Sequence, residues 1–155
     1  MRVLVAIDDS ECSGEAFESV LKRHWSPDTQ FKLLNVLEPL HWQYPLEESF
    51  AAALIEYHEE LKLSAHALIK GQMDRLNLVF GEHNVSGCVM EGSVGESILA
   101  FAKTWKADLI VLGSHGRNGL QKMILGSVAD KVSRHAACSV EIVKSKAKQK
   151  QESAA

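Results

Sequence analysis

A chain of 155 residues, 46% of them hydrophobic and with a formal net charge of -3, has the size of one domain around a single core that buries roughly two thirds of its unfolded surface. With a sequence pI of about 6.2 it carries no global positive field to recruit nucleic acid or an anionic membrane, so any anion site must be local. The apolar opening from Met1 stops at Asp8 and Asp9, and no stretch approaches the roughly 18–20 apolar residues of a membrane span. A soluble, cytoplasmic protein is expected.

Short β-branched apolar runs alternate with helical patterns along the chain: Val3 to Ile7, Phe31 to Leu37, Asn84 to Met90, Leu109 to Leu112 and Val140 to Val143. Strict alternation predicts five parallel strands with four helices on both faces, because right-handed crossovers are the common link between parallel neighbours. The first helix is expected to start at Asp9 or Ser10, both good N-caps, to bury Ala16, Phe17, Val20 and Leu21, and to end by Trp25 and Pro27. The second carries the stripe Phe50, Leu54, Tyr57, Leu61 and Leu68, which predicts one buried face, and Gly71 is expected to kink or end it. Ser93 and Glu96 have capping-box spacing at the start of the third helix, which should bury Ile98, Phe101, Ala102 and Trp105. The fourth, after Ser127, should turn Val128, Val132 and Ala136 inward.

The segment Glu38 to Glu47, with Pro39, His41, Trp42, Tyr44 and Pro45, reads as a loop at the ligand-bearing end of the sheet. It is expected to plug the second helix, the other reading being a cap over a ligand. The Lys-rich stretch after residue 144 lacks a core period, so residues 1–144 are expected as one domain and 145–155 as a disordered tail. Cys12, Cys88 and Cys138 are odd in number and far apart, which predicts reduced thiols. His58 and His66 would lie roughly 80° apart around a helix. No protein-built metal site is assigned.

The most specific chemistry lies near the C-terminus. Gly113 closes the run Leu109 to Leu112 and is followed by Gly116 and by the pair Gly126, Ser127. A buried strand ending in glycines, with a helix opening at Gly126 and Ser127, aims N–H groups and the positive end of a helix dipole at one place. A nucleotide phosphate is the expected occupant. Asp8, at the end of the first strand, borders the same crevice if the first and fourth strands are neighbours. It would then bind the ligand or cap the first helix. Arg117 and Lys122 are candidate phosphate cations, and His115 is a candidate donor to phosphate, weighed against a hydrogen bond to nearby backbone. Gly92 and Gly95 fit a plain strand-to-helix turn, and no glycine loop is followed by the GK[ST] of a P-loop or completes a dinucleotide fingerprint.

These residues resemble the universal stress protein family across nearly the whole chain: Val3 to Asp8 with Asp9 and Ser10, Leu33 to Val36, Ala107 to Gly116, and Gly126 to Val128 leading to Arg134, His135 and Ala136. The glycine spacing looks like the ATP-binding signature of that family's nucleotide-binding branch. The resemblance implies a Rossmann-like, adenine nucleotide alpha hydrolase-like α/β fold, an open five-stranded parallel sheet of order 3-2-1-4-5 with helices on both faces. It places adenine and ribose against Ala6, Ile7, Asp8 and Val36, and ribose and phosphates against Leu112, Gly113, His115, Gly116, Arg117, Gly126, Ser127 and Val128. It also implies a homodimer through the last strand, around Val140 to Val143. Asn35 and Ser139 depart from the family's usual His and Pro, which bears on the adenine-side wall and the dimer edge.

The function expected is an ATP-binding (or ADP- or AMP-binding) regulator in stress response, with Mg²⁺ held mainly by the phosphates. Occupancy would order the loop Arg117 to Leu125 and so change a surface read by an unknown protein partner. The alternatives are a slow ATPase or adenylyl-transfer enzyme relying on Asp8 and His115, and a nucleotide-free interaction module.

Overall fold

The computed structural model describes residues 1–40, 47–116 and 125–145. Strands β1 (Arg2–Ala6), β2 (Gln30–Leu37), β3 (Val85–Glu91), β4 (Leu109–Gly113) and β5 (Ser139–Val143) alternate with helices α1 (Glu11–Leu21), α2 (Glu48–Phe80), α3 (Val94–Trp105) and α4 (Ser127–His135). A short 3₁₀ turn, Glu82–Asn84, precedes β3. All strand pairs are parallel and the order is β3-β2-β1-β4-β5, as the family resemblance implies.

Side chains alternate across each strand, which divides the core in two. Val3, Val5, Phe31, Leu33 and Val111 face α1 and α2, where they meet Phe17, Val20, Ile69 and Leu76. On the other face Leu4, Leu34, Val36, Ile110 and Leu112 meet Ile98 and Ala102 of α3 and Ala129 and Val132 of α4. The central strands are apolar residue after residue because both their faces are covered.

Several local expectations change in three dimensions. Helix α2 runs through Gly71, where an added Cβ would meet nothing within 4 Å, so the glycine sits on an open helix face and breaks nothing. Its buried residues are His58, Ala65, Ile69 and Leu76; Phe50 and Tyr57 of the predicted stripe are 56% and 55% exposed. The stripe overshoots because α2 is longer than the strands beneath it. The capping box at α3 does not form: Ser93 makes no side-chain cap, and Glu96 reaches across to Lys131 of α4 at 2.7 Å. In α4 Val132 is fully buried as expected and Ala129 joins it, while Val128 and Ala136 are half-buried. Ser145, assigned to the tail, is fully buried and donates to Glu11 at 2.6 Å; the rest of the tail lies outside the described residues.

Glu18 joins α1 to α2 through Arg75 and pairs with Lys22, the C-cap of its own helix, at 2.9 Å. The Lys22 ammonium and the Arg75 guanidinium hold its carboxyl below the ordinary 4.5. A depressed folded value means stabilisation that is complete above the unfolded value and lost as pH falls through the folded one. Glu18→Gln should therefore cost under about 1 kcal/mol at pH 7, given the solvent around the pair, and nothing near pH 2. Urea melts at the two pH values check this; an equal loss at both would contradict it.

Candidate functional site

Strands β1 and β4 are neighbours, with Ala6 beside Leu112, and the helices that follow them leave on opposite faces of the sheet. A crevice opens there for the reason that applies to every open parallel sheet: no helix covers the point where the connections diverge. It forms a cavity of about 650 Å³. Of the residues singled out in the sequence, Ala6, Ile7, Asp8, Val36, Leu112, Gly113, His115, Gly116, Gly126, Ser127 and Val128 line it. Arg117 and Lys122 lie outside the described residues, as does the loop segment with His41, Trp42 and Tyr44.

Asp8 is held in place by the start of α1. Its N–H donates to Ser13 Oγ at 2.9 Å, and its Oδ1 accepts from the Ser10 N–H at 3.0 Å and from the Ser10 hydroxyl. Ser10 is the N-cap itself, accepting from the Ser13 N–H at 3.3 Å. Asp8 thus braces the capping residue with one oxygen. The other, Oδ2, lies against Gly116, where an added Cβ would come within 3.0 Å of it.

The glycine loop is a clasp. Ser114 N–H donates to Val143 O at 2.8 Å, extending the sheet, and Gly126 N–H donates to Ser114 O at 2.8 Å, which brings the start of α4 back onto the end of β4. The Gly126 N–H is therefore used by the protein, contrary to the expectation that it points at a ligand. Gly126 is also the N-cap, so Ser127 is the first residue of the helix and not its cap. Having no side chain, Gly126 offers no cap to the first-turn N–H groups of Ser127, Val128 and Ala129, and helix geometry gives them no intrahelical acceptor. These are the groups positioned for an anion.

Gly113 has a different task. A Cβ there would lie 2.7 Å from Cys12 C and 2.8 Å from Ser13 N, so its hydrogen admits the backbone of α1. His115 is buried, with Nδ1 3.1 Å from Ser114 Oγ. Asn35 does not line the cavity. It donates to Ile7 O at 2.8 Å from a buried position and so fixes the turn that carries Asp8. The cysteines are free thiols, and burial pushes those of Cys88 and Cys138 up. Among the described residues no cluster of three or more His, Cys, Asp or Glu could hold a metal, and no helix is long and apolar enough to cross a membrane.

Sequence reasoning missed the far end of the cavity, where Leu37 and Glu38 of the β2 end, Tyr57 and Leu61 of α2, and Val94 and Ile98 of α3 form the walls. The available signal was length: an apolar stripe longer than any strand must leave part of itself beyond the sheet.

Fold and crevice together define an open, all-parallel α/β protein with a ligand cavity at the point where its connections diverge. The chain belongs to the universal stress protein family, whose family model matches residues 1–144. It is 30% identical over 154 residues to universal stress protein Sll1388 of Synechocystis sp., covering 92% of this chain and 96% of that one. Among solved structures it is similar to universal stress protein UspA from Lactobacillus plantarum, with a TM-score of 0.79 and 23% identity over 92% of this chain and 97% of that one. A universal stress protein from Arabidopsis thaliana solved with AMP bound gives a TM-score of 0.65 and 18% identity, covering 96% and 94%.

Proposed function

We propose that the chain is a nucleotide-dependent regulator of the stress response that binds ATP, or ADP or AMP, in the crevice between β1 and β4. The observation that carries this reading is the uncapped first turn of α4, facing a cavity that Gly116 and Asp8 border from the other side. An anion fits that turn through N–H groups and the helix dipole. The AMP-bound relative of the same fold supports the class of ligand.

Among the described lining residues there is no Lys or Arg, while Asp8 and Glu38 are acidic. A triphosphate suits entry with a cation, and Mg²⁺ fits as a hard ion that keeps phosphate and water oxygens. Asp8 Oδ2 and the Ser127 hydroxyl are hard oxygen donors beside the first turn of α4; the phosphates would hold the ion for the most part. Occupancy regulates only by the difference in affinity between the states that a partner distinguishes.

We further propose a homodimer through β5, which among the described residues has a strand neighbour on one side only and half-buried side chains at Val140 and Ile142, and action in the cytoplasm, where free thiols persist. Mass spectrometry of the natively purified protein should find ATP, ADP or AMP retained, and calorimetric titration of stripped protein with MgATP should saturate. No retained nucleotide together with no heat up to millimolar ATP would overturn the reading.

A further inference from the structure

Helix α2 has 33 residues, roughly 50 Å of helix. The strands it crosses, β2 and β3, have 8 and 7 residues, roughly 27 and 23 Å. Because α2 links parallel strands it begins at their C-terminal end, and its first buried side chain among the described residues is His58. The turns before His58 therefore stand beyond the sheet, beside the cavity.

Leu54, Tyr57 and Leu61 share one face of those turns at steps of three and four. Tyr57 is 55% exposed and Leu54 and Leu61 are half-buried, yet Tyr57 and Leu61 line the cavity, across from Val94 and Ile98 of α3. The stripe lies on protein in its later turns and on the cavity in its first ones. A flat apolar ring suits such a slot.

The cavity has two chemically different ends. At α4 the walls are N–H groups and the Ser127 hydroxyl; at α2 they are aliphatic and aromatic, with the Glu38 carboxylate at the rim to repel an anion. A nucleotide can enter in one sense only, phosphates to α4 and base to α2. We propose that Tyr57, flanked by Leu61, is a base-binding residue that packs against the purine, which makes α2 the recognition wall of the site. The proposal rests on the nucleotide reading above. An aromatic ring half in water loses apolar surface to the base while its hydroxyl stays solvated.

The experiment is calorimetric titration of the full chain and its variants with AMP and with MgATP, alongside thermal melts. Tyr57→Ala should weaken both nucleotides by the same factor, about 5- to 100-fold as base–aromatic stacking generally costs, because the base is common to both; Tyr57→Phe should bind as the unmodified chain does. The melting temperature should hardly move, since the side chain is more than half exposed. Unchanged affinity in Tyr57→Ala, in protein that otherwise binds nucleotide, would overturn the proposal and leave the nucleotide reading intact. A lowered melting temperature with unchanged affinity would overturn it too, by assigning the stripe to a protein contact such as the segment with Trp42. A loss that grows with phosphate number would place Tyr57 at the wrong end. No binding by the unmodified chain would remove both readings.

Discussion

Gly126→Val is expected to abolish ATP binding while the chain stays folded. A Cβ at residue 126 would lie 3.0 Å from Ser114 O and 3.3 Å from His115 Cα, and valine adds two methyl groups to that contact. The clasp between Ser114 and Gly126 must open by some tenths of an ångström, which carries the first turn of α4 away from Gly116 and Asp8. Hydrogen bonds to a charged group contribute about 1.5–3 kcal/mol each, so losing one or two of these from the phosphate costs about 100-fold. Titration with MgATP should show at least that loss, with a melting temperature only a few degrees lower because residues 114 and 126 sit at the edge of the core and not within it. Retained affinity would refute the site, since two separated turns would then not need to meet.

The second large effect is on folding. Gly113→Val should cost about 3 kcal/mol, at the upper end for overpacking, because the added Cβ would meet main-chain atoms of Cys12 and Ser13 at 2.7 and 2.8 Å and neither can rotate away. For a chain of this size that lowers the melting temperature by roughly 6–12 °C. Nucleotide binding should fall as well, but through displacement of α1, whose cap is braced by Asp8. A Gly113→Val protein that melts normally and loses only nucleotide would show that Gly113 belongs to the phosphate cradle after all. The two glycines look alike in the signature and differ in what approaches them.

Much of the architecture is legible in order of residues alone. Val3 to Ile7 and Leu109 to Leu112 are apolar at every position, which only strands covered on both faces tolerate, and their alternation with helices predicts parallel pairing before any contact is known. Strand order came from the family resemblance, because a parallel sheet of five strands can be wound in several ways with the same local pattern. The resemblance also named residues that line one cavity although they come from β1, β2, β4 and α4. Element ends are another matter: the capping box at Ser93 lost to an ion pair between Glu96 and Lys131, a competitor distant in sequence.

By itself the sequence determined the parallel α/β character of the chain, the two-faced burial of its central strands, and a glycine-bounded loop at a strand end, because each follows from periodicity or from backbone freedom within a few residues. Only the tertiary structure decided that Gly113 makes room for α1, that the Gly126 N–H is spent on Ser114, and that Tyr57 faces a cavity and not the core. These depend on which backbone passes within a few ångströms of which, and on how far a 33-residue helix outruns the strands beneath it; neither distance is written in local residue order.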